Sequence, residues 1–194
     1  MDTLYYLIQN TLPVTIPLLL VALGGMFSER SGIINIALEG IMLFGAFFGC
    51  FFVYLVQGSS MNAQTVLLLG MLVAAFAGYV FSQLLSFATV NLNADQTITG
   101  TSLNMLVPAV ILLFSKMKFN SDGITTDMNF YIKEVPGLGS IPVLGKMFFQ
   151  NTYLTVYIGF LFLIIAAIVF YKTKFGLRLR ACGEHPHAAD SVGI

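Results

Sequence analysis

Charge is scarce in this chain. Across 194 residues there are nine Lys and Arg, nine Asp and Glu, two His and no net charge, so that only 9% is charged against about 25% in soluble proteins. With a mean hydropathy of +0.87, that composition excludes an ordinary soluble domain, and the zero net charge argues against a nucleic-acid partner. Tryptophan is absent, so tyrosines must serve as interfacial anchors. Tyr5, Tyr6, Tyr54, Tyr153 and Tyr171 all stand near the ends of apolar runs. Of the two cysteines, Cys50 falls in the outer half of one apolar run and Cys182 beyond the last, which places them badly for a disulfide. No CxxC and no zinc-ligand spacing occurs, and His185 and His187 flank a proline without cysteine partners, so no metal is expected. No phosphate-binding GxxxxGK[ST] is present either, so the energy for any active process must come from another polypeptide or from an ion gradient. An enzyme working inside the membrane would want paired aspartates, a Ser with a His, or HExxH at depth. The ionisable candidate here is a single glutamate, so neither catalysis nor a cofactor is expected.

What the sequence has is hydrophobic length. Some 57% of residues are hydrophobic, and five apolar segments are long enough to cross a bilayer. The first runs from about Leu4 to Phe27, with Pro13 and Pro17 early, and is expected to be retained because no basic region precedes it. A polar turn, Ser28 to Gly32, leads to the second, from Ile33 to Tyr54, which as a continuous helix would measure roughly 33 Å. The third spans about Ala63 to Ala88. A dense polar run, Asn91 to Ser102, enters the fourth, which ends near Phe114, and the fifth covers Tyr153 to Tyr171. Residues 116 to 150 carry too many charges and turn formers for a sixth span, although Ile141 to Phe149 is apolar enough to lie in the interface. The fold class is therefore all-α: a polytopic membrane protein of about five transmembrane helices, read as a single domain over 1–194, with no internal repeat.

Orientation follows from the flanking cations. Lys172, Lys174, Arg178 and Arg180 crowd the exit of the fifth segment, which predicts a cytoplasmic C-terminus, an outside N-terminus and an extracellular loop between spans four and five. Lys116 and Lys118 fall on the wrong side of that rule.

Two places put polarity where lipid tolerates it poorly. On a continuous helix over Ile33 to Tyr54, Asn35, Glu39, Met42, Ala46 and Gly49 share one face, opposite Ile34, Leu38, Ile41, Phe48 and Phe52. Glu39 either makes a structural polar bond, reaches the headgroups, or faces an aqueous path. In the fourth segment Asn104 precedes Pro108 by four, so the carbonyl of residue 104 loses its helical donor beside an amide side chain. Asn35, Glu39, Gln96 and Asn104 are the candidate pathway residues, chosen for polarity at depth. Beyond the fifth segment, Pro186 opens a short helix with a small Ala188-Ala189 face suited to close docking.

Three stretches together carry a resemblance: Phe27 to Gly40 (FSERSGIINIALEG), Asn93 to Gly100 (NADQTITG) with Leu103-Asn104, and Thr173 to Gly193. The chain resembles the permease subunits of ATP-binding-cassette importers of the ribose and branched-chain amino-acid type. It looks closest to the branch linked to nucleoside uptake through a basic-membrane-protein-type binding lipoprotein. The spacing His187-Ala188-Ala189-x-x-x-Gly193 is similar to the Glu-Ala-Ala-x-x-x-Gly coupling loop of such permeases, with His in place of Glu. The resemblance implies a multi-pass protein of the cell (inner) membrane with no catalysis of its own. It also implies an ATPase subunit on the cytoplasmic side, a second permease subunit and an extracytoplasmic substrate-binding lipoprotein. By resemblance the coupling positions are Gly183, Glu184, Ala188, Ala189 and Gly193. The likeness covers the whole chain but about the first two thirds of a typical member, stopping within the coupling region. A nucleoside is the preferred substrate, a simple sugar such as ribose the next, and riboflavin or an aromatic amino acid remains open. An ion-coupled secondary transporter using Glu39 is the reading from another class.

Overall fold

The computed structural model describes residues 2–134, 148 and 150–193. Five of its helices are long and apolar enough to cross a membrane: α1 (Asp2–Arg30), α2 (Leu38–Val56), α3 (Ala63–Val90), α4 (Gln96–Phe119) and α5 (Leu154–Lys172). Two short helices follow, α6 (Lys174–Glu184) and α7 (Pro186–Ser191), and two four-residue strands, β1 (Tyr131–Glu134) and β2 (Gln150–Tyr153), precede α5. The all-α, polytopic reading holds, with that one strand pair added. The interfacial segment expected at Ile141 to Phe149 falls, apart from Phe148, outside the described residues.

The chain forms two compact units, Met1–Ile33 with Phe130–Ile194, and Ile34–Asn129. In the first, α1 packs on α5 where Ile16 fills the space left by Gly159; a methyl there would overlap the isoleucine. Nearer the tail, Phe27 meets the buried Phe170 edge to face at 5.5 Å. The strands pair antiparallel, with Tyr131 opposite Tyr153, their rings 4.3 Å apart.

In the second unit α2 and α3 approach through small residues. A methyl on Gly45 would stand 2.8 Å from the Ala74 carbonyl oxygen, and one on Gly49 would stand 3.1 Å from that of Gly70. Apolar helices gain no hydrophobic drive from associating in lipid, so close backbone contact of this kind supplies the packing. The aromatic seam between them is Phe44 stacked on Phe81 at 4.4 Å.

The α4 helix begins within the polar run. Asp95 caps it, accepting from the N–H groups of Thr97 at 2.8 Å and Ile98 at 3.0 Å. Thr99, Thr101 and Ser102 then spend their hydroxyls on carbonyls one turn back, so the polar run is helical from Gln96 on. Asp95→Ala removes the cap and is expected to cost about 1 kcal/mol. Thermal unfolding of the purified chain checks this, and an unchanged midpoint would count against the capping assignment.

Candidate functional site

The stretch Phe27 to Gly40 reads as the end of one helix, a short turn and the start of another. The structure makes the break longer. Gly32, at φ +84°, stops α1 in the left-handed conformation that a residue with a side chain adopts only with strain. The Ile33 N–H then reaches the Ser28 carbonyl at 3.2 Å and the Gly32 N–H that of Glu29 at 3.0 Å. This pair of bonds is a Schellman motif. From Ile33 to Ala37 the chain is non-helical, and α2 starts only at Leu38.

Asn35 therefore does not share a helix face with Glu39. Its side chain turns back on its own segment, accepting from the Ala37 N–H at 3.1 Å. The rest of the expected face also divides: Glu39 and Ala46 are exposed, while Gly49 is buried against α3. Ile41, assigned by periodicity to lipid, instead lies beside Gly78 of α3.

Two amides of α4 hold the non-helical stretch. Gln96 Oε1 accepts from the Ile34 N–H at 3.1 Å. Asn104 makes two bonds of 2.7 Å, its Nδ2 donating to the Ile36 carbonyl and its Oδ1 accepting from the Gly40 N–H. The residue at the N-cap of α2 is Ala37, which has no side chain able to cap. Asn104 takes over that task from a neighbouring helix, at the third helical position, where a capping side chain normally bonds. Gly100 and Gly40 permit the approach, since a methyl on Gly100 would stand 3.2 Å from the Ala37 nitrogen and one on Gly40 2.9 Å from Asn104 Oδ1. Ala37 is completely buried. Glu39, in the first turn of α2, places its carboxylate at the positive end of the helix dipole. The structure thus brings together Asn35, Gln96 and Asn104 around one backbone segment and leaves Glu39 exposed beside them. Gly40, Gly100 and the backbone of Ile34 and Ile36 are the participants that sequence reasoning missed. The signal was a glycine at each close approach.

The tail positions also separate. Gly183 packs on the end of α1: a methyl there would overlap the Arg30 carbonyl oxygen and lie 3.1 Å from the Gly32 nitrogen. Ala189 is buried, whereas Glu184, Ala188 and Gly193 are exposed. The α6 helix, which the sequence reading did not anticipate, is capped by the Thr173 hydroxyl on the Gly176 N–H at 3.3 Å. Gly176 lies directly on the Phe170 carbonyl, with no room for a side chain. Arg180 closes the corner, its Nε donating to the Gly176 carbonyl at 3.2 Å and its guanidinium 5.3 Å from the Phe170 ring. No cluster of three or more metal-ligating side chains occurs among the described residues.

A family model described as branched-chain amino acid transport system / permease component matches residues 7–194. The guanosine ABC transporter permease protein of Bacillus subtilis is 43% identical over 191 residues, which cover 97% of this chain and 59% of that protein. A nucleoside ABC transporter permease protein of Lactococcus lactis is 40% identical over 193 residues, covering 100% of this chain and 60% of its own length. A putative glucose ABC transporter permease protein of Haloferax volcanii is 30% identical, with 97% and 54% covered. The chain spans about three fifths of the length of the first two of these relatives. No solved structure matches.

Proposed function

The chain belongs to the permease family of branched-chain amino acid transport systems, and from that premise we propose that it forms the membrane-spanning permease part of an ATP-driven importer for a small polar solute, a nucleoside first. Residues 1–194 are read as one transmembrane domain, with the N-terminus outside and the tail in the cytoplasm. A separate ATPase docks on the tail, a second permease chain completes the pathway, and an extracytoplasmic binding lipoprotein delivers the solute. The chain itself performs no catalysis.

The observation that carries this reading is the non-helical stretch from Ile33 to Ala37. It connects α1 to α2, its backbone groups are held by amides of α4, and non-helical backbone satisfied in this way is what borders solute sites in transporters. Asn35, Gln96 and Asn104 form its polar wall, and Glu39 is the charge beside it. The names of the Bacillus and Lactococcus relatives favour a nucleoside, while that of the Haloferax relative supports a simple sugar as the second reading.

Uptake of labelled guanosine tests the assignment. Cells lacking nucleoside uptake would express the chain with an ATPase and a binding lipoprotein of the nucleoside-importer class. Accumulation that depends on ATP supports it; accumulation abolished by collapsing the proton gradient while ATP is maintained would favour ion coupling instead. In the same assay Glu39→Gln is expected to lower uptake several-fold while membrane insertion persists, with a stability loss of only about 0.3–1 kcal/mol from the helix end. Undiminished uptake would remove Glu39 from the pathway.

A further inference from the structure

An open groove of about 410 Å³ runs between α2 and α4 in the Ile34–Asn129 unit. Its walls are aromatic, with Phe44, Phe47 and Phe51 from α2 facing Phe114 and Phe119 from α4, and its one polar lining residue is Lys118. The lysine amine stands 4.4 Å from the Phe51 ring centre, at the end of the groove where α4 stops and polar chain follows. Phe44 lies two helical turns deeper, roughly 10 Å at ~1.5 Å per residue. The groove is therefore apolar at depth and cationic at the membrane surface. Among the described residues Lys116 pairs with Asp122 at 3.4 Å, and no carboxylate pairs with Lys118.

This lining does not suit a nucleoside or a sugar. Among the described residues that line it, no side chain but the Lys118 amine can hydrogen-bond, so ribose hydroxyls would be buried unsatisfied. We propose that the groove holds an acyl chain of an anionic phospholipid, whose phosphate rests on Lys118. The depth of the groove compares with the ~15 Å of hydrocarbon in one leaflet, half of a core about 30 Å thick. The cation at its mouth supplies the charge complementarity, reinforced by the ring beneath it, which holds the amine over the groove. The proposal is independent of the transported solute.

The absence of tryptophan from the chain makes the test direct. Phe114→Trp places a sole indole in the groove of the full chain, and reconstitution into vesicles mixes phosphatidylcholine with phosphatidylglycerol, one of the two carrying brominated acyl chains that quench it. The expected result is about fivefold enrichment of phosphatidylglycerol at the groove over its bulk fraction, the factor given by ~1 kcal/mol for one lysine at an anionic surface. A reference indole at the exposed position Phe162 of α5 should show no enrichment, and Lys118→Ala should abolish it in the groove. Equal quenching by both lipids overturns the proposal, as does enrichment that survives Lys118→Ala. Absence of quenching by either lipid also overturns it, because the groove is then filled by protein, from the same permease or from a second copy. If Phe114→Trp does not insert, Phe48→Trp reads the same groove.

Discussion

Asn104→Leu will loosen the start of α2 and stop transport while leaving all five spans in the membrane. Leucine keeps the number and branching of the side-chain heavy atoms, so the change removes both hydrogen bonds with little change of shape, although two methyls are bulkier than the amide. Losing the bond to the Gly40 N–H removes the side-chain cap that Asn104 supplies at the start of α2, worth about 1 kcal/mol. Losing the bond to the Ile36 carbonyl strands a half-buried acceptor, at about 1–3 kcal/mol. Together they amount to roughly 2–4 kcal/mol, which should appear as a fall of several degrees in the unfolding midpoint in detergent. A thiol at Ile36→Cys, in a background without Cys50 and Cys182, should label faster once Asn104 is gone. Asn104→Asp keeps the acceptor and loses the donor, so it should fall between the two. An unchanged midpoint together with unchanged labelling would mean that Asn104 does not hold this segment.

Gly183→Val will uncouple the tail from α1. The added carbons meet the Arg30 carbonyl and the Gly32 nitrogen, and because both are backbone, no rotamer change relieves the overlap. Overpacking of this kind costs about 1–3 kcal/mol, which exceeds what the contacts of a short helix like α6 can absorb without moving. In an assembled importer the expected phenotype is ATP hydrolysis retained and uptake lost, with faster proteolysis at the tail. In the proposed importer, an ATPase docked on the tail would push on the exposed Glu184 and Ala188, and Gly183 against the end of α1 is the contact that would carry that push toward the membrane helices. Gly183→Ala is the milder version and should show a partial effect. If both variants transport and resist protease like the parent, the contact plays no part in coupling.

Much of this architecture is written in local sequence. All five spans were legible, with ends shifted by a few residues, because a chain in lipid must satisfy its backbone internally and helix is the form that does so within one segment. The α4 boundary moved furthest. Hydroxyls of the polar run fold back onto carbonyls one turn away, as at Thr99, Thr101 and Ser102, and so extend the helix into it. The tail reads as one short helix and folds as two, with Thr173 capping α6.

The candidate site was legible only in part. Its polar residues were identifiable, for an amide or a carboxylate in an apolar run must find a partner. What each one does was not. Helical periodicity placed Asn35 and Glu39 on one face, and periodicity carries no information about a helix that has not yet begun. By itself the sequence determined the number of spans and which positions hold polarity within apolar runs, both of which depend on neighbours within a turn or two. Tertiary structure alone decided that α2 begins at Leu38, that Asn104 caps it from another helix, and that Gly183 seats the tail on α1. Those outcomes depend on groups 64 and 68 residues apart in the Asn104 bonds, and no local preference encodes a pairing across that distance.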